Sequence, residues 1–140
     1  MGSGVEYKCS KCKRKFEFLE GIGMMDYSQS LMDYESDFNL LRRYGHGINK
    51  IGLRKALKSK EYILEEDSYG YKTYQCPTCK RVSNEFYFKL KALKENEDDF
   101  ISEYKCYKCK TKLELLKNID KCPVCGGEFD KDEINFIRWD

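Results

Sequence analysis

Eight cysteines fall into four Cys-x-x-Cys pairs, Cys9/Cys12, Cys76/Cys79, Cys106/Cys109 and Cys122/Cys125, with none left over. Two thiolates three positions apart can hold one side of a tetrahedral ion, and a second pair can close the other. Eight thiolates therefore make two four-cysteine sites, and this soft sulfur set points to two structural Zn2+ ions. A secreted chain would spend the same cysteines on four disulfides. No apolar signal-peptide core follows Met1 and no run is long enough to span a membrane, so a reducing cytoplasm is the expected setting, with no membrane partner.

A site filled by cysteine has no open position for water or substrate, which argues for a structural ion over a catalytic one. The rest of the chain offers no other active site. It has no serine elbow, no phosphate loop and no histidine–glutamate metal motif. The single histidine, His46, stands between Gly45 and Gly47, with no acid at helical spacing and no cysteine to spare. It reads as a solvated residue at a helix end. The expectation is a protein that is not an enzyme and takes no small-molecule substrate.

The elements that must position these thiols are small. At 140 residues, 41% apolar and 36% charged, the chain is one domain or two very small ones, for which metal cross-links replace buried area. Val5 to Tyr7 and Arg14 to Leu19 read as strands on either side of the first pair, with Phe16 and Phe18 on one face. Ser30 can cap a helix whose stripe is Leu31, Tyr34, Phe38, Leu41 and Tyr44, ended by Gly45 and Gly47. A second helix covers Ile48 to Ser59, with Ile48, Gly52, Ala56 and Leu57 inward. Glu61 to Leu64 and Tyr71 to Gln75 read as strands around a turn at 67–70. Phe86 to Leu93 is the most strand-like segment of the chain, and the acidic stretch 95–99 is the best boundary. Lys112 to Leu116 then forms a strand and 118–121 a turn, and Ile134 to Trp139 returns as an edge strand. Met1 to Gly4 (MGSG) has the composition of a cloning remnant and is set aside.

The fold class expected is small α+β with two zinc ribbons. The N-terminal ribbon spans 5–94 and carries a helical insertion at about 28–60; the C-terminal ribbon spans 100–140. In the second ribbon twelve residues separate the cysteine pairs; in the first, 63 do. Loop-closure entropy favours sequential pairing, Cys9/Cys12 with Cys76/Cys79 and Cys106/Cys109 with Cys122/Cys125. The main rival is a nested arrangement with Cys76/Cys79 facing Cys106/Cys109; an interleaved cross-brace comes third.

The segment from Cys106 to Cys125 resembles the zinc-ribbon fold group, and Cys122-Pro-Val-Cys-Gly126 is similar to the second knuckle of rubredoxin-like proteins. The resemblance implies one ion per two knuckles, and recognition of nucleic acid or protein as the common role. Rubredoxin-like iron sites carry glycine after each knuckle; here Lys13, Lys80 and Lys110 stand in three of the four places, which favours zinc over iron.

Eight thiolates contribute −8 and two ions +4, turning the formal +2 into −2, so nucleic-acid binding would need a local patch. Candidate contacts are Arg42, Arg43, Lys50, Arg54 and Lys58, within a stretch from Arg42 to Lys60 that has no acidic residue. Lys50, Arg54 and Lys58 form one helical ridge able to meet phosphates, or simply a solvated face balanced by Glu61, Glu65, Glu66 and Asp67. Tyr104 and Tyr107, or Tyr69, Tyr71 and Tyr74, can stack on bases or cover a small core. The function expected is a zinc-binding, non-catalytic module that recognises protein or nucleic acid. The alternatives are a structural adaptor subunit of a complex and a thiol-based redox or zinc sensor.

Overall fold

The period-two segments of the sequence become strands. The structure, a computed structural model, describes residues 2–24, 26–117 and 119–139. Its strands are β1 (Gly2–Lys8), β2 (Lys15–Gly21), β3 (Tyr62–Gln75), β4 (Val82–Ala92), β5 (Phe100–Ile101), β6 (Glu114–Leu115) and β7 (Asn135–Trp139). The helices are α1 (Ser28–Met32), α2 (Leu40–Tyr44) and α3 (Asn49–Ser59). The α+β expectation holds, but the strands belong to one seven-stranded antiparallel sheet and not to two separate ribbons. Its order is β5-β4-β3-β2-β1-β7, with β6 pairing β3 off that path.

The chain divides into two compact units. One is Met1–Gly21, Tyr71–Glu85 and Lys105–Asp140; the other is Ile22–Gly70 and Phe86–Tyr104. All eight cysteines lie in the first unit. The acidic stretch 95–99, read as a boundary, falls inside the second. Asn118 of the expected turn, Met1 of the terminal stretch and Asp140 lie outside the described residues.

In the first unit β1 pairs β2 from Gly2↔Gly21 to Lys8↔Lys15, and pairs β7 from Gly2↔Trp139 to Glu6↔Asn135. Gly2 and Gly4, set aside on composition, are thus strand residues. Glycine is needed at 2, because a Cβ there would lie 2.1 Å from atoms of the Trp139 ring. Phe16 and Phe18 are buried on the shared face as expected, packed with Val5, Tyr7 and Phe129 against Cys9 and Cys122. β2 meets β3 only at Gly21↔Tyr71. Beyond that pair the Asn84 side chain takes the place of a neighbouring strand: its Oδ1 accepts from Leu19 N at 3.1 Å and its Nδ2 donates to Glu17 O at 2.8 Å. Thr73 Oγ1 donates to the same Oδ1 at 2.8 Å.

In the second unit Leu31, Leu40, Leu53, Leu57, Phe86, Phe88 and Leu90 form the core. The single helix expected from Leu31 to Tyr44 is two short ones. Asp33 Oδ1 accepts from Glu35 N, Ser36 Oγ from Phe38 N, and Asn39 Oδ1 from Arg42 N at 2.8 Å. These local bonds compete with the helical ladder, and the last one caps α2. α3 matches its expected span, but Asn49 and Leu53 face inward in place of Ile48, and Asn49 exchanges two hydrogen bonds with the Glu103 backbone. The turn expected at 67–70 is instead continuous strand, with Gly70 at φ 144°.

Candidate metal centres

Each knuckle is built by the same two backbone bonds. Cys9 N donates to Arg14 O and Lys13 N to Cys9 O; the pattern recurs at Cys76 with Arg81 and Lys80, at Cys106 with Thr111 and Lys110, and at Cys122 with Gly127 and Gly126. The residue after the second cysteine must turn left-handed to close this loop. Lys13, Lys80, Lys110 and Gly126 do so, at φ 63°, 64°, 59° and 73°. The three lysines therefore copy the glycine geometry, and their identity does not separate zinc from iron by backbone shape.

The knuckles combine as nested pairs. Cys9, Cys12, Cys122 and Cys125 form one cluster, and Cys76, Cys79, Cys106 and Cys109 the other, with all sulfurs in each within 4.8 Å of one another. This corrects the sequential pairing. Loops of 63 and 12 residues, against 26 and roughly 75, favour the sequential form by only about 0.8 kcal/mol. The β1–β7 ladder, continued by Ser10 N to Glu128 O and Asp130 N to Lys8 O, outweighs that at about 1 kcal/mol per bond.

The donor set fits a four-coordinate ion. Cys9 and Cys125 sulfurs are 3.4 Å apart, and Cys12–Cys122 and Cys79–Cys106 are each 3.7 Å apart. A disulfide needs about 2.05 Å, whereas four sulfurs about 2.3 Å from one zinc stand about 3.8 Å from each other. Backbone N–H groups point at the sulfurs as thiolate donors: Cys12 N to Cys9 at 3.4 Å, Cys79 N to Cys76 at 3.5 Å, and Gly127 N to Cys125 at 3.4 Å.

Those donors split the thiols. The Cys12 N–H, aided by that of Lys11 and working against burial, brings Cys9 from 9.0 down to about 6. The Cys109 N–H does the same for Cys106, to about 6, and the Cys79 N–H lowers Cys76. The Arg14 N–H lowers Cys12, but burial and the sulfurs of Cys9, Cys122 and Cys125 together push it up to about 11. Cys109 is pushed to about 12 by Cys79, by burial and by Cys76. Four negative charges cannot share such a volume unaided, and a divalent cation is the group that lets all four ionise.

The candidate contact residues are less uniform than the ridge suggests. Arg43 pairs with Asp26, which is buried and also accepts from Gly23 N at 2.7 Å. Arg42 pairs with Asp37 at 2.7 Å, and Lys58 lies 5.3 Å over the Tyr34 ring. Lys50 and Arg54 are exposed on α3, as is His46 beside it. Sequence reasoning missed Asn84, the Thr78–Thr111 hydroxyl contact at 3.2 Å, and Gln75 Nε2 donating to Pro123 O at 2.6 Å. The repeated Cys-x-x-Cys-Lys was a usable signal for the shared left-handed turn; Asn84 carried none. Among the described residues, no helix is long and apolar enough to cross a membrane. Comparison of the chain with protein-family models, curated proteins and solved structures gives no match.

Proposed function

We propose that the protein is a non-catalytic recognition module held in shape by two structural Zn2+ ions, working in a reducing, cytoplasmic setting through its surfaces on a protein or nucleic-acid partner. The observation that carries this is the completeness of both sulfur sets: every corner of each tetrahedron is a cysteine, so none is left for water or substrate. Zinc is preferred because four thiolates suit it and it needs no redox partner. Lys50, Arg54 and Lys58 remain contact candidates; Arg42 and Arg43 are already engaged by carboxylates of their own unit.

Native mass spectrometry with metal analysis tests this reading. Two zinc ions per chain are expected, in a colourless protein. Iron, a single ion, or a mass lowered by about two daltons per cysteine pair would overturn it.

A further inference from the structure

The second metal centre brings two knuckles together, and with them an uneven distribution of charge. Residues 76–85 and 105–112 carry six cations, Lys80, Arg81, Lys105, Lys108, Lys110 and Lys112, all exposed, and one carboxylate, Glu85. The sulfur contact between Cys79 and Cys106 and the Thr78–Thr111 contact fix the two segments as one surface. Six cations exceed what a four-thiolate zinc centre of charge −2 requires. Two of them are also held against backbone preference: Lys80 and Lys110 sit left-handed at a place where Gly126 shows that glycine serves.

An aromatic platform lies within this surface. Tyr107 is 61% exposed, with the Arg81 guanidinium 4.0 Å over its ring. Beside it a cavity of about 200 Å3, lined by Arg81, Ser83, Glu85, Lys105, Tyr107, Leu113 and the ligand Cys106, is large enough for a phosphate group. Glu85 there is half-buried, and burial raises its pKa against the lowering effects of Ser83 and Arg81. Closely spaced cations beside a largely exposed ring, one face of which carries the Arg81 guanidinium, match a chain of phosphates with accessible bases. A duplex hides its base faces, and a run of Asp and Glu offers no aromatic ring to stack.

We propose that this face of the second metal centre binds single-stranded nucleic acid, with Lys80, Lys108 and Lys110 among the phosphate contacts and Tyr107 stacking on a base. The proposal rests on the recognition-module reading, since the ion sets the spacing of the two knuckles.

The test uses the full zinc-loaded chain and a fluorescent oligothymidylate of about 20 nucleotides, titrated by anisotropy between about 50 and 200 mM salt. Three or four phosphate contacts give a log–log salt slope of about −2 to −3. Lys108→Gln with Lys110→Gln should flatten the slope by about 1.4. Tyr107→Ala should weaken binding about 5- to 150-fold, Tyr107→Phe should restore it, and Lys131→Gln, at an exposed lysine outside this face, should change nothing. No binding by protein that holds two zinc ions overturns the proposal and leaves the recognition-module reading standing. Loss of binding in Lys131→Gln, or equal binding of duplex or polyglutamate with Tyr107→Ala silent, also overturns it. A protein without zinc overturns both.

Discussion

Replacing Gly127 by alanine should damage one metal centre and spare the other. A Cβ built at Gly127 lies 2.8 Å from Lys11 Cβ, 3.1 Å from Cys9 Sγ and 3.2 Å from Cys125 Sγ. The first distance is well inside van der Waals contact, and the other two press on ligand sulfurs of the same cluster. Relief requires moving a knuckle backbone or a sulfur, the overpacking case, at about 1–3 kcal/mol. That loss should appear as zinc binding about 5- to 150-fold weaker at the first centre. Competition with a chromophoric chelator should turn one titration into two, with the second centre unchanged. Alkylating the released thiols and mapping them by mass would show which cysteines open together. Nested pairing requires Cys9, Cys12, Cys122 and Cys125 to label as a group. If Cys122 and Cys125 label with Cys106 and Cys109, or if both centres weaken equally, the arrangement of knuckles described above is wrong.

Three further outcomes follow from the same geometry. Lys80→Gly should bind zinc more tightly than Lys80→Ala by about 1 kcal/mol, because both lose the charge and only glycine relieves the left-handed turn. Gly126→Ala, with nothing within 4 Å of its Cβ, should lose the same amount at the first centre; equal affinity of Lys80→Gly and Lys80→Ala would contradict this. Asn84→Ala removes three hydrogen bonds and should cost about 3 kcal/mol in urea denaturation of the zinc-loaded protein, and a loss below about 1 kcal/mol would mean β2 does not depend on that side chain. Acidification should release the ions: Cys9 and Cys106 have values lowered from 9.0 to about 6, so what their ionisation contributes is present above pH 9 and lost as pH falls through about 6. Released zinc and loss of circular dichroism should coincide, and a fold that survives full release would show that the ions are not structural.

The parts legible in sequence were those decided within a few residues. The pairs of cysteines, the Phe16/Phe18 alternation, the strand after Phe86 and the helix ending at Ser59 all follow from local spacing. Local signals failed where two of them competed. The stripe from Leu31 to Tyr44 has helical period, but Asp33, Ser36 and Asn39 each spend a side chain on a nearby N–H and break it. The turn composition at 67–70 yielded to the strand that carries Tyr62 through to Gln75. Arg43 looked like part of an unpaired basic stretch because nothing in the sequence ties it to Asp26, seventeen positions earlier.

The pairing of knuckles was illegible for a different reason. Loop entropy depends on the logarithm of length, so even a fivefold difference between loops moves the balance by about 1.4 kcal/mol, and compensation elsewhere left a net preference near 0.8 kcal/mol. Strand partners separated by more than a hundred residues decide the matter instead. Once β7 lies along β1, Phe129 is opposite Cys9 and the knuckle at Cys122–Cys125 has nowhere to close except on the one at Cys9–Cys12. The remaining two knuckles then meet between them, carried by the 26 residues from Lys80 to Lys105. The outer centre thus ties the two ends of the chain, while the inner one ties the segment that leaves for the second unit and returns. Loss of the outer ion should therefore free more of the chain than loss of the inner one. For that reason the first centre, with Gly127 packed against its sulfurs, is the more sensitive place to perturb the fold.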